Sequence, residues 1–170
     1  MATATVETTT TQSNFSETHG TMQLVSFKLD EEFYGIEISK VREIILIPEV
    51  TRIPETPSYV KGLINLRSTV IPVIDLRARF GLSAAELTDE SRIMVLHACG
   101  KTIGIVVDAV NEVLRVKQDQ IAPPPPTVAS VGRDYLTGLV KQEKHLLILL
   151  DIDRLLREQS QVLDAVAAPA

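Results

Sequence analysis

Apolar residues in this chain recur chiefly at every second position, the period of a strand with one covered face. From Gln23 to Leu29 the pattern sets Val25, Phe27 and Leu29 on one face, and from Glu32 to Ile38 it sets Tyr34, Ile36 and Ile38 on one face. Asp30-Glu31 joins the two runs, which predicts an antiparallel hairpin. The period then changes: Ser39 is placed to cap a short helical turn with Val41, Ile44 and Ile45 on one side, stopped by Pro48. Val50 to Ile53 reads as a brief strand, and Val60 to Ile74 as two apolar strands turning at Asn65 to Ser68. Pro72 lacks a ladder donor, so its strand is expected at an edge or a bend. Asp75 opens a short helix that Gly81 can close.

The pattern then repeats. Tyr59 to Asp75 (YVKGLINLRSTVIPVID) and Tyr135 to Asp151 (YLTGLVKQEKHLLILLD) share Tyr, Gly, Leu and Asp at an offset of 76, and Tyr34 to Ile44 is echoed by Ile103 to Val113 at an offset of 69. One unit of about seventy residues used twice explains both offsets. Five or so short strands per unit suit small closed barrels, and all-β with short helices is the fold class expected. The expected organisation is a tail over 1–22, a first barrel over 23–88, a second over 89–152, and a C-terminal helix and fraying tail over 153–170. The polar stretch from Leu82 to Ser91 is the expected link, and Pro123 to Pro126 a stiff loop.

Composition narrows the function. The net charge is −5 and no basic stripe is visible, which disfavours a nucleic-acid partner. The first twenty residues hold neither Lys nor Arg nor an apolar run, and no run has the roughly 18 apolar residues of a membrane span, so a cytoplasmic chain without membrane insertion is expected. Cys99 has no intramolecular partner. Gly100-Lys101-Thr102 looks like the end of a phosphate loop, but Val95 stands where that loop needs Gly and a strand follows, so a hairpin turn is the expectation. His19, His97 and His145 lack metal-ligand spacing, and Asp30-Glu31-Glu32 sits on a hairpin tip without apolar surroundings. No catalytic, cofactor or metal site is read. Arg67, at the turn after GLINL, either pairs with a local acid such as Glu43 or offers a bidentate fork to a partner. Its counterpart in the repeat is Glu143, and Ile38 and Val41 are either core or contact.

FYGIEISKVREI, VTRIPETPSYVKGLINLR, VIPVIDLRARFG, GIVVDAVNEVL and YLTGL followed by LLILLDIDRLL resemble the CheW family of bacterial chemotaxis adaptors, in order and spacing, from about Gln23 to Leu156. The resemblance implies two five-stranded SH3-like barrels and a non-catalytic scaffold. It would bind the cytoplasmic helical tip of a chemoreceptor (a methyl-accepting chemotaxis protein) and the regulatory domain of the CheA histidine kinase, and would be recruited to receptor arrays at the membrane. By the same resemblance Ile38, Val41, Glu43 and Arg67 fall on the receptor-facing side and Gly62 is backbone support. The family usually has Gly where this chain has Ser68, which would strain a turn needing positive φ. A module of this kind serving surface motility or second-messenger signalling is the alternative.

Overall fold

The strands form because β-branched and aliphatic residues alternate or run together between two-residue turns. The computed structural model describes residues 20–125 and 135–157, and all statements below concern these. Eleven strands occur among them: β1 (Thr21–Leu29), β2 (Glu32–Glu37), β3 (Val41–Ile45), β4 (Val60–Leu66), β5 (Thr69–Asp75), β6 (Arg92–Ala98), β7 (Lys101–Val107), β8 (Ala109–Lys117), β9 (Ile121–Ala122), β10 (Leu136–Lys141) and β11 (Leu146–Leu150). Two short helices, α1 (Leu76–Arg79) and α2 (Ile152–Arg157), each follow the last hairpin of a repeat. Asp75 caps α1, its carboxylate accepting from the amides of Arg77 at 3.0 Å and Ala78 at 3.5 Å.

Sheet I has the order β3-β6-β7-β5-β4 and sheet II the order β8-β1-β2-β11-β10-β9. Neither order closes on itself through backbone hydrogen bonds. Each sheet instead curls round its own apolar cluster, giving two open SH3-like units. Ile64, Ile71, Val73, Ile93, Val95 and Val106 fill sheet I, and Leu24, Val116, Val140, Leu147 and Leu149 fill sheet II. The two-residue β9 of sheet II has its counterpart in the isolated bridge Thr51↔Leu63 of sheet I.

The strand pairing departs from the expected division at residue 88. Hairpin β1–β2 lies in sheet II beside strands of the second repeat, and hairpin β6–β7 lies in sheet I beside strands of the first. The exchange is symmetric. Val25 pairs with Ile36 and Val113, and its counterpart Met94 pairs with Ile105 and Ile44. The parallel contacts repeat likewise, Gly35↔Leu149 in one sheet and Gly104↔Val73 in the other. Repetition in a sequence shows that two units exist; it does not say which of two equivalent hairpins completes which sheet.

Three local expectations also change. Val41–Ile45 is strand, not a helical face, and only the 3-10 turn Ile38–Lys40 precedes it. Its β-branched residues gain a ladder with β6 that a lone helical turn could not supply. β5 is an interior strand, yet its parallel ladder with β7 begins only at Val73, so Pro72 stands just beyond it. The first strand starts at Thr21, inside the expected tail, whereas Pro126 and the part of the expected C-terminal helix beyond Arg157 lie outside the described residues.

Strands β1, β2, β6 and β7 are covered on both faces. One face turns into a sheet interior and the other into a central cluster that includes Val25, Phe27, Ile36, Met94, Leu96 and Ile105, closed by Leu76 of α1 and by Ile152, Leu155 and Leu156 of α2. Nineteen buried residues make this cluster, against six and five in the sheet interiors, so most of the buried apolar core is shared between the two units. Gly62 sits at a bulge in β4 with φ +148°, and a Cβ there would drive into the Thr51 carbonyl oxygen and stand 2.8 Å from Val50 Cγ1. Gly62→Ala is expected to cost about 3 kcal/mol in urea unfolding, against about 1 kcal/mol for Gly81→Ala, which has positive φ but open space around it.

Candidate functional site

The β4–β5 hairpin turns through two residues in left-handed conformation, Arg67 at φ 50° and Ser68 at φ 69°. This geometry matches the twist of the strands but strains both side chains. It carries Arg67 across the curled sheet to the opposite edge strand, β3. There the guanidinium meets Glu43 with both forks: Nη1 donates to Oε1 at 3.3 Å and Nη2 donates to Oε2. Side-chain exposure is 70% for Arg67 and 29% for Glu43, so the acid is anchored in the sheet and the cation lies open to solvent. The local pairing left open by the sequence is therefore present and engages both terminal nitrogens, while the cation stays exposed to solvent.

Glu43 follows a bulge that re-aims β3 between Val41 and Glu43. From Val41 to Ile47, just past the end of this strand, Val41, Glu43, Ile45 and Ile47 are half-buried while Arg42, Ile44 and Leu46 face solvent. Leu46 is 70% and Ile44 40% exposed, an apolar pair on the face turned away from Glu43. Ile38, in the 3-10 turn, and Val41 are half-buried and pack on the central cluster, so they line its rim rather than a deep groove. The four expected site residues thus occupy one continuous segment plus the turn that reaches it. At the positions matching Glu43 and Arg67 in sheet II stand two exposed acids, Glu112 and Glu143, which cannot pair in this way.

A second constellation was not read from the sequence. Lys40 Nζ donates to Asp153 Oδ2 at 2.6 Å, the Cys99 amide donates to Asp153 Oδ1 at 2.8 Å, and Cys99 Sγ lies 3.3 Å from the Asp153 carbonyl oxygen. α2 is thereby tied both to the turn before β3 and to the β6–β7 turn. A cleft of about 380 Å³ opens beside the tie, lined by Leu24, Ile36, Glu37 and Thr137 among others. The matching position in the first repeat is Arg77, which donates to Asp108 Oδ2 at 2.7 Å and to Asp30 Oδ1 at 3.4 Å. Asp30 is the counterpart of Cys99, so the same helix position grips the same hairpin turn with opposite charge. The signal that could have found both clasps was this charge reversal at an offset of 76.

Among the described residues no group of His, Cys, Asp and Glu could hold a metal ion, and no helix is long and apolar enough to cross a membrane. The profile of the CheW-like domain matches residues 23–160. The chain belongs to the CheW family. A chemotaxis protein CheW of Klebsiella aerogenes is 41% identical over 85% of this chain and 88% of its own length, and one of Treponema pallidum is 39% identical over 78% and 81%. The crystal structure of the scaffolding protein TtCheW of Thermoanaerobacter tengcongensis matches with a TM-score of 0.71 at 37% identity, covering 79% of this chain and 91% of that one. The two-sheet architecture is thus the family's own.

Burial raises the Asp153 carboxyl, but hydrogen bonds from Lys40 and the Cys99 amide outweigh it and hold the group below the usual value. The same bond holds Lys40 above its usual value against the opposing effect of burial. A carboxyl lowered by folding contributes fully above its unfolded value of about 3.9, and the contribution fades as pH falls through the folded value. The lysine contribution is full below about 10.4 and fades as pH rises through its higher folded value. Asp153→Asn is expected to lower stability at neutral pH by less than about 1 kcal/mol, since both partners are about one-third exposed, and to flatten both the acid and the alkaline limb of a stability profile measured by urea melts. Ser68→Gly is expected to add about 1 kcal/mol in thermal melts by relieving the left-handed turn.

Proposed function

We propose that this chain is a non-catalytic adaptor that couples the helical tip of a chemoreceptor to the regulatory domain of the CheA histidine kinase, working in the cytoplasm at membrane receptor arrays. Ile38, Val41, Glu43 and Arg67 are the receptor-facing residues. The observation that carries the reading is the solvent-exposed Arg67 guanidinium, held by Glu43 on an edge strand whose outer face carries Ile44. A helical hairpin offers an apolar ridge flanked by carboxylates and amides, which such a surface can take in the helix-in-groove mode. Membership of a family whose relatives are named chemotaxis proteins supports the pathway.

Glu43 keeps the guanidinium extended and oriented when unbound, which lowers the entropy lost on docking. Partial desolvation at the interface then strengthens the fork's bonds to the partner. Gly62 contributes only backbone support at the bulge in the strand leading to the turn.

The test is a titration of a receptor cytoplasmic fragment and a kinase regulatory domain against alanine variants, with thermal melts to confirm folding. Arg67→Ala is expected to weaken receptor binding by about tenfold or more, and Glu143→Ala to change either affinity by no more than about twofold. Equal losses from the two substitutions would assign the work to both units and sink the asymmetric reading.

A further inference from the structure

We infer that Asp153 is a positioning residue for the receptor-facing segment, acting through Lys40 on the 3-10 turn Ile38–Lys40 and on Val41 that follows it. The inference rests on the adaptor reading above. It assigns a role in partner binding to a residue of the C-terminal helix that lies outside the contact surface.

The turn is weakly held by its own resources. None of its three residues is buried, and Glu37 before it provides no side-chain cap. A backbone bond from the Val41 N–H to the Ile38 carbonyl oxygen ends it. The ladder pairs Leu24↔Glu37 and Val41↔Leu96 hold its two ends, Ile38 leans on the central cluster, and Lys40 supplies a further fixed point through its 2.6 Å bond to Asp153. The segment must keep its shape because it sets the start of β3, where the bulge aims Glu43 at Arg67.

Asp153 is itself a rigid post. It follows Ile152, and with Leu155 and Leu156 that residue buries α2 in the central cluster. Its other carboxylate oxygen and its carbonyl oxygen are engaged by Cys99. A post fixed at two points can hold a third. Because the Lys40–Asp153 pair is about one-third exposed, its worth to global stability is small. Its effect on the geometry of one turn is therefore separable from folding.

The test compares Lys40→Met, Asp153→Asn and the double variant with Arg77→Met, which breaks the equivalent clasp on the other side of the molecule. Asp153→Asn keeps an oxygen for the Cys99 amide while removing the charge that Lys40 needs. Amide hydrogen exchange at Val41 is expected to rise about tenfold in the first three and to stay at the wild-type rate in Arg77→Met. Receptor-fragment affinity is expected to fall about fivefold in each single variant and no further in the double, with kinase-domain affinity held within about twofold. Unchanged Val41 exchange, additive losses in the double variant, or an equal loss in Arg77→Met would overturn the inference. Binding of the wild-type chain to neither fragment would overturn the adaptor reading itself, an outcome distinct from wild-type binding that Lys40→Met leaves intact.

Discussion

Four strands in this molecule have no face to spare. β1, β2, β6 and β7 are apolar on both sides, and the fold is the arrangement that covers both sides at once. One face of each hairpin becomes the wall of a sheet interior; the other becomes the floor of a core shared by both units. Everything else is placed by that requirement. The helices α1 and α2 exist to roof the shared core with Leu76, Ile152, Leu155 and Leu156, and the outer hairpins β4–β5 and β10–β11 fold back to finish the sheet interiors. A hydrophobic layer of this kind admits little independent motion of the two units.

Much of this was legible in the sequence for a simple reason: two-residue turns, alternating apolar positions and a capping Asp are local, and local chemistry is what a sequence states openly. The duplication could be read because Gly62 and Gly138 occupy the same bulge, where any Cβ meets the neighbouring chain. The exchange of hairpins could not be read, since Val25 and Met94 make interchangeable partners for either third strand. The run from Val41 to Ile45 fits the helical period at Val41, Ile44 and Ile45, and only the ladder offered by β6 makes it a strand.

The candidate site shows the same division. Arg67 and Glu43 were found as alternatives, and the geometry makes them compatible: the acid orients the cation without hiding it. Lys40 and Asp153 are separated by 113 residues and carry no motif, so nothing along the chain joins them. They meet because α2 must roof the core at the point where the 3-10 turn leaves β2. Site geometry here is inherited from the packing of the core.

The opposed clasps at Arg77 and Asp153 bear on how a duplicated chain avoids confusing its own halves. After duplication each helix faces two equivalent seats, and apolar packing alone distinguishes them poorly. In the wrong seat Arg77 would confront Lys40, and Asp153 would enter a nest already holding Asp30 and Asp108. Both errors bring like charges together at a half-covered surface, where repulsion is felt. The pair of inverted charges therefore favours each helix in its own seat.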